Sequence, residues 1–584
     1  MRPAGVPARW RMLPHDPAQA SRLSAHLGLT PPAARVLAAR GYAEPDSARR
    51  FLEAPLADLH DPFALKGMRE ALARLRQAIA SRESILLYGD YDVDGAASLV
   101  MLRKAIELAG HQAAVYVPHR LREGYGLHPE AIERAAAGGV RLLFSLDTGV
   151  RAHEAVRRAR QLGLDVIVAD HHLPDRELPP TLAVLNPRQP DCCYPEKNLC
   201  AAGVTFKLVQ ALLSSLGWPS SKLLRMLESF LKLAAIATVA DVAPLTGENR
   251  IIVKHGLEGL RSVRNPGLRE LLKVAGFAEG EALTAEQVAF RLAPRLNAAG
   301  RMADAIEGVN LLLAEDEARA RELAARLHTL NRRRQDAETE SIRSILEECL
   351  RTPVTEQDAA LVFSGPEFHR GVVGIVAGRL VERFHRPVFV LGEDPVQGLA
   401  QGSGRSIPAF HLLEALEAMP DLFLRYGGHR QAAGVTLPAE RVEEFRRRLN
   451  AYAAARLKPE DFRPELELDA SLGLSELNER AAAELLRLAP FGFGNPPPRF
   501  LISAAEVAAP PAVFKERHLR VCLRQGERLL SLKAWGFAER ASELAPGARV
   551  DAAVAFEPDS FSAQRGGPGW SAVLEDVRPA QPSV

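Results

Sequence analysis

At 584 residues the chain is too long for one compact core, and three or four domains are expected. Its 47% hydrophobic and 25% charged content is that of an ordinary globular protein, not a disordered or fibrous one. Against 74 basic side chains stand 72 acidic ones, so the formal charge of +2 argues neither for nor against a nucleic-acid partner; a basic groove can hide inside a balanced total.

Residues 1–75 are rich in Ala, Leu and Arg with helical spacing, and form an N-terminal helical segment. The opening MRPAGVPARWRMLPHDP has no continuous apolar stretch of the kind a secretory signal needs. Nowhere does a run of about 18 apolar residues occur, so no membrane span is expected and a cytoplasmic chain fits. From residue 76 to 303 the pattern changes. Short apolar strands (SILLYGD, AAVYVP, VRLLFSLD, LDVIVAD) alternate with amphipathic helices, which predicts a doubly wound parallel sheet in an α/β fold. Residues 304–352 are charged, helical in period and poor in breakers, so they predict a linker helix or helix pair. A second α/β unit covers 353–456, with strand AALVFSG, helix GVVGIVAGRLVERF and strand PVFVL. From 457 to 584 the alternation is β-like, punctuated by FGFGNPPPRF, and a small β-barrel is expected. The five cysteines include one tight group, CCYPEKNLC, that lacks zinc-ligand spacing, so neither a zinc site nor a disulfide framework is expected.

One stretch carries the chemistry. GDYDVDG sets Asp90, Asp92 and Asp94 at alternate positions, ahead of Gly95. Read as a calcium-binding loop, Asp90 would take the first position and Gly95 the sixth, but Met101 stands at the twelfth, where a bidentate Glu belongs. A strand, not a helix, precedes it. The competing reading places these acids beyond the carboxyl end of a parallel strand, where doubly wound sheets gather their ligands. Asp147 closes LLFSLD, Asp170, His171 and His172 close VIVAD, and Asp241 follows the apolar run AAIATVA. Each alone reads as a turn or N-cap residue. Together they would repel one another unless cations neutralised them. An oxygen-rich set with one nitrogen suits Mn²⁺ or Mg²⁺ better than zinc, and two such ions can clamp a phosphate, activate water and stabilise a leaving oxygen.

These segments resemble the four motifs of the DHH phosphoesterase superfamily, named for Asp170-His171-His172. Further segments, in the same order, are similar to those of its bacterial single-strand-specific 5′→3′ DNA exonucleases: RWRML, PHRLREGYGLH, AAGVTFKL, APRLNAAGRM, FHRGVVGIVAGRL, GSGRS, GGHRQAAG and PFGFGNPPPRF. The resemblance covers nearly the whole chain. It implies a DHH catalytic domain joined by a long helix to a DHHA1-type domain, then an OB-fold, with a substrate groove between the first two. It also implies that single-stranded DNA is hydrolysed from its 5′ end to 5′-mononucleotides, in recombination and repair.

By the same resemblance Asp92, Asp94, Asp147, His171 and Asp241 ligate the metal ions, with Asp147 bridging and Asp90 either a further ligand or a carboxylate behind one. In the related pyrophosphatases a histidine takes the place of Tyr88. His172 would contact the scissile phosphate or protonate the leaving group, and Asp170 would orient its neighbours. Ser403 and Arg405, on a flexible glycine-containing loop, with Arg301, would take the terminal 5′-phosphate, for which Arg120 is a further candidate; His429 would touch the backbone phosphate. NRRRQ (Arg332 to Arg334) and FRRRL (Arg446 to Arg448) read as solvated helix faces. Single-strand-binding protein and a RecQ-type helicase are partner candidates that no motif identifies, and a monomer is the default. Two other functions compete: hydrolysis of short oligonucleotides, which the extra barrel disfavours, and a non-catalytic DNA scaffold, which the intact acid set disfavours.

Overall fold

The computed structural model describes residues 8–120, 122–559, 562 and 566–580. Its chain divides into two units. One comprises residues through Leu52, Gln335–Leu488 and the chain from Pro497; the other comprises Glu53–Arg334 and Ala489–Pro496.

The second of these holds a five-stranded, all-parallel sheet in the order Ala114–Tyr116, Ile85–Gly89, Leu142–Leu146, Asp165–Ala169, Ala183–Leu185. Such a sheet is covered on both faces, and its strands accordingly read as near-continuous apolar runs. The helices Val93–Leu108 and Ala201–Ser214 pack into one large core, while Pro129–Ala137 and His153–Gln161 pack into a second. Chain order reverses between Ile85–Gly89 and Leu142–Leu146, the point in such sheets where ligands bind beyond the strand ends. The helix Met68–Ala80 serves this sheet: its Arg74 pairs with Asp165 and Glu83, both at 2.6 Å.

The expected N-terminal helical segment is therefore split. Arg9–Met12 is a strand, not helix, and pairs in parallel with Glu465–Leu468. Trp10 donates to Asp576 at 2.8 Å beneath the Arg578 guanidinium. Pairing across more than 450 residues leaves no local trace in the sequence. The linker stretch forms a helix pair, Ile306–Leu313 and the 35-residue Glu317–Arg351, and the division between units falls inside the latter.

The other unit carries a five-stranded mixed sheet in which only Leu361–Gly365 and Val388–Asp394 run parallel, joined through the helix Val373–Phe384. Leu399–Arg405, Ala432–Pro438 and Arg425–Gly428 continue it antiparallel. The GSGRS segment is consequently a strand, a correction to the flexible loop expected from its glycines. Those glycines admit neighbours: a Cβ on Gly402 would lie 2.0 Å from the Val390 carbonyl, and one on Gly404 2.5 Å from the Phe389 ring. The C-terminal strands close on themselves. Arg499–Val507, Arg549–Pro558, Trp570–Pro579, Arg528–Ala534 and His518–Gln525 pair in turn, and the last returns to the first. Closure leaves no free edge among these five strands, as in an OB-type barrel.

Candidate metal centre at the carboxyl rim of the parallel sheet

Asp92 N-caps the helix Val93–Leu108, accepting from the Asp94 and Gly95 amides at 2.9 and 3.2 Å. An extended residue that satisfies orphan helix donors with its own carboxylate is what an N-cap requires. Gly95 has no room for a side chain: a Cβ would lie 2.4 Å from the Asp90 carbonyl oxygen. This close approach folds Asp90, Asp92 and Asp94 into one turn. Asp94 then reaches the start of a different helix. Its two oxygens accept from the Ala201 and Ala202 amides, each at 2.7 Å, at the positive end of Ala201–Ser214.

Asp147 leaves its strand with φ +63°, a left-handed conformation that costs energy in a non-glycine residue and turns the carboxylate into the rim. Asp241 ends the helix Ser220–Ala240. His171 joins the elements: its Nε2 lies 3.3 Å from Asp147 and 3.8 Å from Asp94, and its Nδ1 lies 3.6 Å from Asp241. Asp170 holds the histidine pair in place, accepting from the backbone amides of Val150, His171 and His172 and from His172 Nδ1 at 2.7 Å.

The donor atoms sort into two sets, each close enough to share an ion: Asp90 with Asp92 and Asp147, and Asp94 with His171 and Asp241. Asp147 also groups with Asp170, His171 and His172. Among the described residues, one oxygen each of Asp90 and Asp147 is buried without a hydrogen bond. Carboxylate oxygens so placed fit a divalent cation, and the mostly oxygen donor set fits Mn²⁺ or Mg²⁺. Tyr88, at the position of the pyrophosphate histidine, is turned away and donates to the Gly126 carbonyl at 2.7 Å. Asp90 supplies the third oxygen of that set instead.

The electrostatics describe acids waiting for a counter-charge. Desolvation, then the neighbouring carboxylates, pushes Asp90, Asp147 and Asp241 well above the usual range and Asp94 to about 6. Asp170 is the exception. Desolvation would raise it, but the bond and charge of His172 and the Val150 amide outweigh that and hold it at about 2. Desolvation and the adjacent His172 press His171 down to about 4, leaving the neutral imidazole that ligates metals. For His172, desolvation is overcome by Asp170, which raises it.

The other residues expected from the sequence fall in two places. Arg120 stacks over the Tyr91 ring at 4.7 Å, and both Arg120 and Arg301 bear electrostatically on that phenol. Ser403, Arg405 and His429 gather in the other unit's sheet. Arg405 donates to Ser403 Oγ at 2.8 Å and pairs in register with Ala432, whose carbonyl accepts from the His429 amide at 2.8 Å. His429 lies between two strands, Arg425–Gly428 and Ala432–Pro438. The first and last arginines of FRRRL are paired: Arg446 bonds Glu443 and the Val362 carbonyl, and Arg448 bonds Asp421 and Glu444.

Two contributors, Asn297 and Arg188, were missed from sequence, and Tyr125 makes contacts that the sequence does not show. Asn297 accepts from the Val93 amide at 3.1 Å and so braces the Asp90–Asp94 turn. The Tyr125 hydroxyl, in the segment PHRLREGYGLH, donates to the Asp147 carbonyl at 3.3 Å and lies 3.2 Å from His172 Nδ1. Arg188, whose charge bears on His171 and Asp241, is held by the Lys197 carbonyl and Asn198. Asn297 lies inside the quoted motif APRLNAAGRM, the one available signal; Arg188 stands in no motif.

Residues 84–238 match the DHH family, N-terminal domain; residues 357–455 match the DHHA1 domain and 468–566 the RecJ OB domain. The single-stranded-DNA-specific exonuclease RecJ of Bacillus subtilis is 40% identical over 547 residues, 93% of this chain and 67% of its own. That of Dickeya dadantii is 38% identical over 483 residues, 80% of this chain and 83% of its own. Among solved structures, RecJ of Thermus thermophilus in complex with Mn²⁺ is similar with a TM-score of 0.82 at 34% identity, over 99% of this chain and 80% of that one. Its Mg²⁺ complex gives 0.75 at 33% identity, over 99% of this chain and 79% of that one.

Proposed function

We propose, from the premise that the chain belongs to the RecJ family of single-stranded-DNA-specific exonucleases, that the carboxylate rim is its cleavage centre. The protein is a metal-dependent nuclease of single-stranded DNA, and Mn²⁺ or Mg²⁺ is its cofactor. The observation that carries the site assignment is the pairing of two three-donor sets on either side of Asp147 and His171. Asp90, Asp92 and Asp147 would hold one ion, and Asp94, His171 and Asp241 the other. When bound, two such ions polarise the phosphate, activate water and stabilise the leaving oxygen.

The chain's own residues have separate tasks. The Ala201 and Ala202 amides fix Asp94, so that its remaining lone pairs face the rim. Asn297 and Gly95 set the turn from which Asp90 and Asp92 project. His172 acts as general acid. Asp170 binds its Nδ1 and keeps the ring protonated, so that the other nitrogen, Nε2, can give a proton to the departing 3′-oxygen. The water oxygen bonds phosphorus as the P–O3′ bond breaks, leaving a 5′-mononucleotide.

Polarity is part of the same reading: cleavage proceeds from the 5′ end. Ser403 and Arg405 are assigned to phosphate recognition, since a planar guanidinium beside a hydroxyl suits its oxygens. Arg301 is likewise assigned to the 5′-phosphate, and Arg120 and His429 to strand contacts. Residues 76–303 are the assigned catalytic domain, 304–352 the link, 353–456 the DHHA1-type domain and 457–584 the strand-binding barrel. The protein is assigned to the cytoplasm as a monomer, with single-strand-binding protein and a RecQ-type helicase as partners in recombination and repair. No helix of the described residues is long and apolar enough to cross a membrane.

The test is degradation of a 3′-labelled single strand with Mn²⁺, comparing wild type with Asp94→Asn and Asp241→Asn. Metal-dependent shortening from the 5′ end that both variants lose supports the assignment. Undiminished cleavage by both contradicts it.

A further inference from the structure

The helix bearing Asn297 and Arg301 is preceded by an irregular turn. Val288–Leu292 forms a π-helical turn that runs directly into Ala293–Met302. Such turns recur at functional sites because they redirect side chains. Here the turn leaves Phe290 65% exposed, among the most exposed large apolar side chains of the described residues.

Cations follow it along the same run of helix. Arg295 Nε donates to His328 Nδ1 at 3.3 Å, and another of its nitrogens to the Arg291 carbonyl. Arg291 stacks on Phe277 at 4.0 Å and donates to the Ala275 and Gly276 carbonyls, both at 2.9 Å. Arg332 is exposed one turn beyond His328 on the long helix. Every partner named for Arg291 and Arg295 is neutral, and the charges that bear on Arg295 and His328 are other arginines: Arg291 and Arg334 on the first, Arg295 and Arg332 on the second. Like charges bearing on Arg295 and His328 favour an anion. An exposed aromatic ring on the same helical run favours an anion that carries flat apolar groups.

We propose that Phe290, Arg295, His328 and Arg332 form a second strand-binding patch on the catalytic unit, taking a base and the flanking phosphates of single-stranded DNA. The inference rests on the nuclease reading and extends it to nucleotides beyond the cleavage centre. Stacking on one ring with phosphate contacts around it is sequence-blind, as an exonuclease that must accept every base requires. Phe290 precedes Asn297 by seven residues, about 10 Å along a helix axis, and none of the four residues belongs to a ligand set.

The test is equilibrium binding of the full chain, in EDTA to prevent cleavage, to a long oligothymidylate and to a dinucleotide, across a salt series. Phe290→Ala is expected to weaken the long strand about 5- to 50-fold. Phe290→Tyr should restore it. Arg332→Ala should reduce the salt slope by about 0.7, the value for one single-strand phosphate contact. The dinucleotide should change by less than about 2-fold in each variant, since it is too short to reach the patch. Unchanged long-strand affinity and slope in both variants would overturn the patch, as would equal losses on long and short strands. If Phe290→Ala does not fold, Arg332→Ala on the exposed helix face decides alone. Wild-type protein that neither binds nor degrades single strands would instead sink the nuclease reading itself.

Discussion

The carboxylate rim and the Ser403–Arg405 strand differ in what burial does to charge. In the rim, Asp90, Asp94, Asp147 and Asp241 are packed against one another, and all four are pushed above the usual carboxylate range. Along the strand, the Arg405 guanidinium donates to the Ser403 hydroxyl and the Gly404 carbonyl, both at 2.8 Å. Repulsion between like charges is therefore stored in the rim. The cation should change the protein's stability as well as its activity, whereas an anion on the strand should change affinity alone.

The largest expected effect is on chemistry. Asp147→Asn should lower the rate by on the order of 10⁴-fold, because Asp147 belongs to one ligand set and touches His171 of the other. Single-turnover cleavage checks this; a loss below tenfold would break the rim's role in the comparison.

Next comes the proton. His172→Gln should cost about 10²- to 10⁴-fold, the usual worth of a general acid. Asp170→Asn removes the partner that raises His172. The ring would then lose its proton at lower pH, and the alkaline fall in kcat should move down. A kcat profile that keeps its alkaline limb would remove His172 as donor.

Stability sharpens the contrast. Acids whose folded pKa is raised bind protons more tightly when folded, so their contribution favours the native state at low pH. It is lost as pH climbs from the ordinary carboxylate range through about 6 for Asp94 and higher for the others. Metal-free protein should thus lose on the order of a few kcal/mol from this cluster between pH 4 and pH 7. Mn²⁺ should raise Tm more at pH 7.5 than at pH 5, and Asp147→Asn should shrink both effects. A Tm shift independent of pH would mean that the rim stores no repulsion.

Smaller effects are expected on the strand. Arg405→Lys keeps the charge but loses the planar fork, and should raise KM for 5′-phosphorylated strands about tenfold with little change in Tm. Equal KM values for phosphorylated and unphosphorylated ends in wild type would remove this role. Smallest is Arg447→Ala, on the exposed face of Val442–Ala454, expected within about 0.5 kcal/mol of wild type by denaturant unfolding.

Much of the rim was legible because its parts are local. A strand followed by Asp-x-Asp-x-Asp-Gly carries its N-cap, its close approach at Gly95 and its place at the strand end within seven residues. Alternation and helical period likewise placed the parallel strands and the long helix. What was hidden depends on contacts distant in sequence. The sequence has no sign that Arg9–Met12 would pair with Glu465–Leu468, that Ala489–Pro496 would go with the catalytic unit, or that Asn297 would brace the turn at Val93. GSGRS misled for the opposite reason. Two glycines in a row of small residues suggest flexibility, but here they admit the Val390 carbonyl and the Phe389 ring to the middle of a sheet.

The central claim, a metal-dependent centre that works from a 5′ end, is tested most directly by one degradation assay. A 5′-phosphorylated single strand, its duplex and a strand blocked at the 5′ end would be incubated with Mn²⁺ or Mg²⁺, using wild type and Asp147→Ala. The account predicts mononucleotides from the free single strand alone, only with metal, and none from the variant. Cleavage of the blocked strand at an equal rate, or undiminished cleavage by Asp147→Ala, would contradict it.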